Sequence, residues 1–82
     1  MSRTADKDLI LYGAPWCGYC VVLRKKLDDR GVEYDYRNVD DPEIRLEMNK
    51  KTAGNQTIPV LCRGEQCWVN PDETTLKGEV NV

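Results

Sequence analysis

Histidine is absent from this sequence of 82 residues. Its absence excludes Cys-His and Ser-His nucleophile pairs, and any zinc site built on imidazole. Long apolar runs are also missing: none approaches the roughly 20 residues of a membrane helix, and "MSRTADKD" lacks the apolar core of an export signal. Chemistry must therefore come from cysteine, carboxylate, lysine or tyrosine, and we expect a cytoplasmic protein with no membrane partner.

Neither sign of charge dominates. Twelve basic and 14 acidic side chains leave a formal net charge of −2, and no basic patch suggests nucleic acid as a partner. The hydrophobic content of 40% and the charged content of 32% suit a small globular protein. We expect one domain, residues 1–82, acting as a monomer.

Four cysteines are present. In a chain without an export signal, cysteines are more often catalytic or metal-binding than structural, because the cytosol keeps thiols reduced. Two of them, Cys17 and Cys20, stand two residues apart in "APWCGYC", directly after an apolar run and directly before a helical pattern. This C-x-x-C pair is the first candidate for a redox site.

The pattern of apolar residues and turn signals predicts an α/β fold of order β-α-β-α-β-β-α. A strand, a helix and a second strand imply a right-handed parallel pair, and the following hairpin must join that sheet in antiparallel sense. The result is a four-stranded mixed sheet flanked by helices. The predicted elements are strands at Leu9–Gly13 and Val32–Val39, the second near a sheet edge; a hairpin in "TIPVLCRGEQCWV" turning at Gly64-Glu65; a helix from about Cys17 to Arg30-Gly31; a helix from Pro42 to about Thr52 capped by Asp41; and a short last helix capped by Asn70.

The two cysteines of the pair have different expected environments. Cys17 falls at the helix start, where unpaired N–H groups and the helix dipole stabilise the thiolate that disulfide exchange needs. Cys20 lies one turn further in, where its thiol is shielded and suits a resolving role. Trp16 and Tyr19 can supply apolar surface around the thiol, and Gly18 leaves the turn less rigid than proline would.

Ile58-Pro59 is the second candidate part of the site. An X-Pro bond that enters a strand is a place where a cis peptide can be held, which would turn the Ile58 backbone outward to pair with a substrate. The alternative is an ordinary proline at the first residue of a strand.

With "WCGYC", the tripeptide Thr57-Ile58-Pro59 and this element order, the chain resembles the glutaredoxin branch of the thioredoxin superfamily. The segments "GNQTIP" and "VNPDE" make it most similar to the mycoredoxins. The resemblance implies a thioredoxin-like fold and a thiol–disulfide oxidoreductase that reduces protein mixed disulfides. It implies no bound cofactor, only a low-molecular-weight thiol as co-substrate. Glutathione-using relatives usually carry a Gly-Gly and then an acidic pair after the hairpin, and "GEQCWVNPDE" stands here instead, so the identity of the thiol stays open.

The resemblance also assigns roles to residues. It makes Cys17 the nucleophile, Cys20 the resolving thiol, Tyr19 a wall of the thiol-binding groove and Ile58-Pro59 its cis-proline edge. The remaining residues of the predicted groove are Trp16, Gly18, Gln56, Thr57 and Asn70.

Three alternatives remain open. The first is a thioredoxin-like dithiol electron donor reduced by a flavoprotein disulfide reductase. The second is a zinc site formed by all four cysteines, with Cys62 and Cys67 as the second half. The third is a [2Fe–2S] cluster shared between two subunits through Cys17.

Cys62 and Cys67 raise a separate question. If Gly64-Glu65 is a two-residue turn, the two cysteines face each other in a non-hydrogen-bonded pair, close enough for a disulfide. We expect them instead to be two free, buried thiols, because free cysteine is commonly buried and the cytosol is reducing.

Overall fold

The computed structural model describes the backbone of residues 4–82 and the side chains from Leu9 onward. In this part of the chain the elements follow in the predicted order. None of the helices here is long and apolar enough to cross a membrane. Their bounds are β1 (Thr4–Gly13), α1 (Gly18–Asp29), β2 (Val32–Asn38), α2 (Pro42–Lys51), β3 (Val60–Arg63), β4 (Gln66–Val69) and α3 (Glu73–Thr75), which continues into a π-helical turn, Leu76–Val80.

The four strands form one mixed sheet in the order β2-β1-β3-β4. β1 pairs with β2 in parallel and with β3 in antiparallel sense, and β4 pairs with β3 in antiparallel sense. The α/β class and the mixed sheet are therefore confirmed, and β2 lies at an edge as predicted. β1 starts at Thr4 rather than at Leu9.

Two apolar layers cover the two faces of the sheet, because alternate residues of β1 point to opposite sides. Leu9 and Leu11 belong to one layer, and Tyr12 belongs to the other. Trp68 packs in the first layer, and its indole N–H donates to Glu79 Oε1 at 3.0 Å. The first layer also contains Leu23, Leu27, Leu61, Leu76 and Val80, and the second contains Ala14, Val39, Met48, Val60 and Cys62.

Helix capping was predicted correctly for α2 and wrongly for the last helix. The Asp41 carboxylate accepts a hydrogen bond from the Glu43 amide at 2.9 Å, as an N-cap should. In the last helix the cap is Asp72, which accepts from the Thr75 amide at 2.9 Å, and not Asn70. Asn70 has a φ of 45°, and its amide donates to the Pro59 carbonyl at 2.7 Å. Asparagine tolerates this left-handed conformation better than most residues, so it serves the exit from β4 instead of the helix.

The hairpin turns at Gly64-Glu65, as predicted, and Gly64 has a φ of 60°. Cys62 therefore lies opposite Cys67, with 4.0 Å between their Cα atoms, and the two sulfur atoms form a disulfide. The expectation of two free thiols was wrong. The short turn fixes a register in which both side chains leave the same face of the sheet at directly opposed positions, and this proximity outweighs the general rarity of disulfides in chains of this kind.

Candidate active site

Cys17 occupies the N-cap position of α1, in extended conformation at φ −91° and ψ 116°. Its amide donates to the Ala14 carbonyl at 3.2 Å, and its own carbonyl accepts from the Val21 amide at 3.1 Å. The Cys17 side chain makes no cap hydrogen bond and remains partly exposed. The thiol thus stands at the positive end of the helix dipole, where an anion is stabilised and a partner can reach it.

Cys20 is fully buried in the first turn of α1. Burial, followed by the hydrogen bond with Cys17, raises the pKa of the Cys20 thiol to about 11, while the Ala14 backbone acts in the opposite direction. The expectation of a shielded, less ionised second thiol agrees with this environment. The two thiols of the C-x-x-C pair therefore differ in access: Cys17 is partly exposed and Cys20 is buried.

Gly13 makes room for Cys20. A Cβ placed on Gly13 would lie 2.9 Å from the Cys20 sulfur and 3.2 Å from its Cβ, with Tyr36 Cε1 at 3.5 Å. Glycine at the end of β1 is thus required by the packing of the buried thiol. The sequence indicated only the end of a strand at this position, because the close approach comes from α1 crossing over the strand end.

The raised pKa of Cys20 predicts a loss of stability at alkaline pH in the reduced protein. The folded state holds this proton up to a pH of about 11, whereas the unfolded thiol releases it near its ordinary 9.0. The resulting stabilisation is complete below pH 9.0 and is lost as the pH rises toward 11. Urea unfolding from pH 7 to 11 should show a steeper alkaline decline in the wild type than in Cys20→Ser. This control is needed because burial also raises the pKa of Tyr34 and Tyr36, and equal declines in both proteins would contradict the prediction.

The Ile58-Pro59 peptide bond is cis, as the sequence hypothesis required, and the pairing of Ile58 with a substrate stays a prediction. Pro59 is buried, and Ile58 is half-buried against the same apolar layer that Cys17 contacts. The Thr57 carbonyl accepts from the Asn55 side chain at 3.0 Å. Gln56 and Thr57 are exposed.

A groove of about 330 Å³ lies between α1 and the segment that follows β4. It brings together Tyr19 and Asn70, two residues that the sequence placed in one groove. Tyr19 is 69% exposed, although it is aromatic. Cys17 does not line this groove, and neither do the other residues predicted for it, which are Trp16, Gly18, Gln56, Thr57, Ile58 and Pro59. The residues that line it are Tyr19, Val22, Leu23, Lys26, Asn70, Pro71 and Asp72.

Trp16 is held in place although it is 66% exposed. Its indole N–H points at both carboxylate oxygens of Asp40, at 3.0 and 3.1 Å. The sequence indicated a role for Asp41, the cap of α2, and none for Asp40. The role of Asp40 depends on a contact across 24 positions of the chain, so no local pattern could indicate it.

Within the described residues no group of three or more cysteine, aspartate or glutamate side chains could hold a metal ion. The zinc alternative needs four thiolates. Two of the four sulfur atoms, those of Cys62 and Cys67, are joined in a disulfide, and Cys17 and Cys20 are free. The structure therefore contradicts the four-cysteine zinc site.

A C-x-x-C pair at the N-terminus of the first helix, in a βαβαββα fold with a cis-proline before the third strand, defines a thiol–disulfide oxidoreductase of the thioredoxin superfamily. The model of the glutaredoxin family matches residues 9–68, and the chain belongs to that family.

Individual relatives agree with this family. The chain is 34% identical to a glutaredoxin of Pseudomonas aeruginosa over 58 residues, which cover 70% of this chain and 68% of the relative. It is 38% identical to mycoredoxin 1 of Corynebacterium glutamicum over 55 residues, which cover 66% and 67%. Among solved structures, a glutaredoxin of Archaeoglobus fulgidus superposes with a TM-score of 0.80 at 17% identity, covering 93% of this chain and 88% of that one. This last likeness supports the thioredoxin-like fold, and the resemblance to glutaredoxins and mycoredoxins is confirmed.

Proposed function

We propose that the protein reduces mixed disulfides between proteins and a low-molecular-weight thiol, with Cys17 as the nucleophile. The observation that carries this proposal is the contrast within the C-x-x-C pair. Cys17 is partly exposed at the helix N-terminus, whereas Cys20 is fully buried with its pKa raised to about 11. Only the first thiol is placed to meet a substrate.

The cycle needs no bound cofactor. The Cys17 thiolate attacks the sulfur of the small thiol in the mixed disulfide, and the client protein leaves as a thiolate that takes up a proton. The small thiol is then bound to Cys17 through a new disulfide. A second molecule of the same thiol attacks that adduct, and the low-molecular-weight disulfide departs as Cys17 returns to its thiolate.

The groove beside α1 is the proposed binding place of the small thiol. Tyr19 offers an exposed ring, and Lys26 and Asp72 offer charges of both signs to polar groups of the ligand. Asn70 joins this groove to the cis Ile58-Pro59 edge through its hydrogen bond to the Pro59 carbonyl. Gln56, Thr57, Trp16 and Gly18 complete the proposed surroundings of the thiol.

A second candidate is a dithiol electron donor that a flavoprotein disulfide reductase regenerates. The position of Cys17 at the N-cap of α1, with Cys20 in the first turn of the same helix, favours it, because residues three apart on a helix lie next to each other. For a protein disulfide, Cys20 would displace the client from Cys17 and form the Cys17–Cys20 disulfide. Burial of Cys20 opposes this step at neutral pH, so we rank this route second for mixed disulfides.

The proposal includes a monomer that works in the cytoplasm. Its reductive half-cycle depends on an excess of small thiol over the corresponding disulfide, and reducing compartments maintain that excess. The clients are proteins that carry such a thiol as a mixed disulfide.

A steady-state assay with one peptide mixed disulfide and several candidate thiols tests the proposal. We expect one thiol to support turnover, and Cys20→Ser to retain that turnover within about threefold because the small thiol completes the cycle. Reduction of an intramolecular protein disulfide should be lost in the same variant. If Cys20→Ser abolishes both reactions while a flavoprotein reductase supports the wild type, the dithiol donor is the correct function.

A further inference from the structure

We propose that Cys62 and Cys67 form a second thiol–disulfide site, separate from the C-x-x-C pair, which opens and closes by exchange with low-molecular-weight thiols and disulfides. Its closed form ties β4, which leads into the Asn70 side of the groove, to β3 and the cis-proline edge. The effect on the groove rests on the function proposed above, whereas the redox chemistry of the pair does not.

Access to the pair is one-sided. Cys62 is fully buried on β3, and Cys67 is only half-buried on β4. β4 is an edge strand that pairs with β3 alone in the sheet order β2-β1-β3-β4. A small thiol or disulfide from solution therefore meets the Cys67 sulfur first, and Cys62 acts as the internal partner.

The exchange is a two-electron reaction that balances with a small disulfide RSSR as the oxidant. The Cys67 thiolate attacks RSSR, which forms a Cys67–SR bond and releases one RS⁻. The Cys62 thiolate then attacks Cys67 in that adduct, closing the Cys62–Cys67 bond and releasing the second RS⁻. The two cysteine protons end on the two released thiols. Reduction follows the same steps in reverse and consumes two RSH.

The pair is linked to the groove through the paired residues of β3 and β4. Cys62 pairs with Cys67, and two residues further along the strands Val60 pairs with Val69. The next contact is the hydrogen bond from the Asn70 amide to the Pro59 carbonyl, at 2.7 Å. The disulfide thus lies three residues along each strand, Cys62 to Pro59 and Cys67 to Asn70, from the contact that joins the cis-proline edge to Asn70.

The two strands next to this contact, β3 and β4, are short. β3 and β4 have four residues each, and β4 has a single neighbour in the sheet. Short edge strands open more easily than central ones, because few backbone hydrogen bonds hold them. A covalent link between them should therefore change how often Asn70 separates from Pro59.

The first test uses the double variant Cys17→Ser/Cys20→Ser, in which only the proposed second site can react. The protein is equilibrated in buffers from excess reduced to excess oxidised glutathione, then alkylated and analysed by mass spectrometry. We expect both remaining cysteines to become labelled together in the reduced buffers and to be protected again in the oxidised ones. A pair that stays closed in excess reduced glutathione, or stays open in excess oxidised glutathione, would overturn the proposal.

The second test measures amide hydrogen exchange in the same variant, with the pair closed and open. The Asn70 amide should exchange at least about fivefold faster when the pair is open. The Val39 amide, which donates to the Gly13 carbonyl at 2.9 Å, is a matched control outside the hairpin and should not change. Equal exchange of Asn70 in both states would disprove the link to the groove.

A third measurement keeps the C-x-x-C pair and replaces the second site by Cys62→Ala/Cys67→Ala. The KM for the peptide mixed disulfide should rise about threefold to tenfold, with a smaller change in kcat, because groove geometry and not the nucleophile is altered. An unchanged KM would contradict the groove effect. If the wild type does not reduce mixed disulfides at all, the proposed function fails, while the first two tests still decide the second site.

Discussion

Replacing Cys17 by serine should lower the turnover of a peptide mixed disulfide by at least about a thousandfold. A serine oxygen cannot form the disulfide adduct on which the cycle depends, and its hydroxyl stays protonated at neutral pH. The helix N-terminus, which stabilises a thiolate, then has no anion to stabilise. Initial rates with the thiol that supports the wild type would measure the effect.

The matched control for this variant is Cys20→Ser, which makes the same chemical change one helical turn further in. We expect it to keep most of the mixed-disulfide activity. Cys17→Ser should unfold at nearly the wild-type temperature, because the Cys17 side chain forms no cap hydrogen bond. Wild-type rates in Cys17→Ser, with activity lost in Cys20→Ser, would show that Cys20 is the nucleophile.

Replacing Gly13 by alanine should damage both stability and the pairing of the two active-site thiols. The added Cβ would lie 2.9 Å from the Cys20 sulfur. Cys20 is fully buried, so its side chain has no free space into which it can move. Such overpacking costs about 1–3 kcal/mol in the free energy of unfolding. Formation of the Cys17–Cys20 disulfide should slow by at least about tenfold, because the displaced sulfur loses its alignment with Cys17. Urea unfolding and quenched-flow alkylation measure the two effects.

Gly78→Ala is the control for the general effect of adding a methyl group. A Cβ on Gly78 would meet nothing within 4 Å, so this variant should be as stable as the wild type or more stable. The double variant Gly13→Ala/Cys20→Ala should recover part of the lost stability, since the clashing sulfur is gone. If Gly13→Ala is as stable as Gly78→Ala, the proposed contact between Gly13 and Cys20 does not constrain the protein.

Much of the fold could be predicted because its signals are local. Asp41 followed by Pro42 predicted the start of α2, and Gly64-Glu65 predicted a turn whose register pairs Cys62 with Cys67. Helical spacing after Cys17 predicted α1 to within a residue at its start. Each signal depends on neighbours a few positions away. In each case tertiary packing stabilises the same local structure that the signal predicts.

The remainder depends on partners that are distant along the chain. The start of β1 has no strand pattern in "TADKD", and it becomes a strand because Thr4 and Ala5 pair with Val32 and Glu33. The prediction that Asn70 caps the last helix was wrong because Asn70 has a left-handed backbone where β4 ends, held by the bond from its amide to Pro59, and the helix is capped two residues later by Asp72. Gly13 acts through a helix that passes over it. No periodic pattern in the sequence predicts any of these contacts.

The mixed sheet brings together two segments that are far apart along the chain. Both thiols of the C-x-x-C pair and the Tyr19 side of the groove lie between Leu9 and Asp29, whereas the cis-proline and Asn70 come close to them only when β3 pairs with β1, as in Leu11 with Leu61. Substitutions in the later segment can therefore alter which thiol is accepted while the earlier segment keeps its chemistry. Under the proposed function, the preferred thiol could therefore change without any substitution of Cys17 or Cys20.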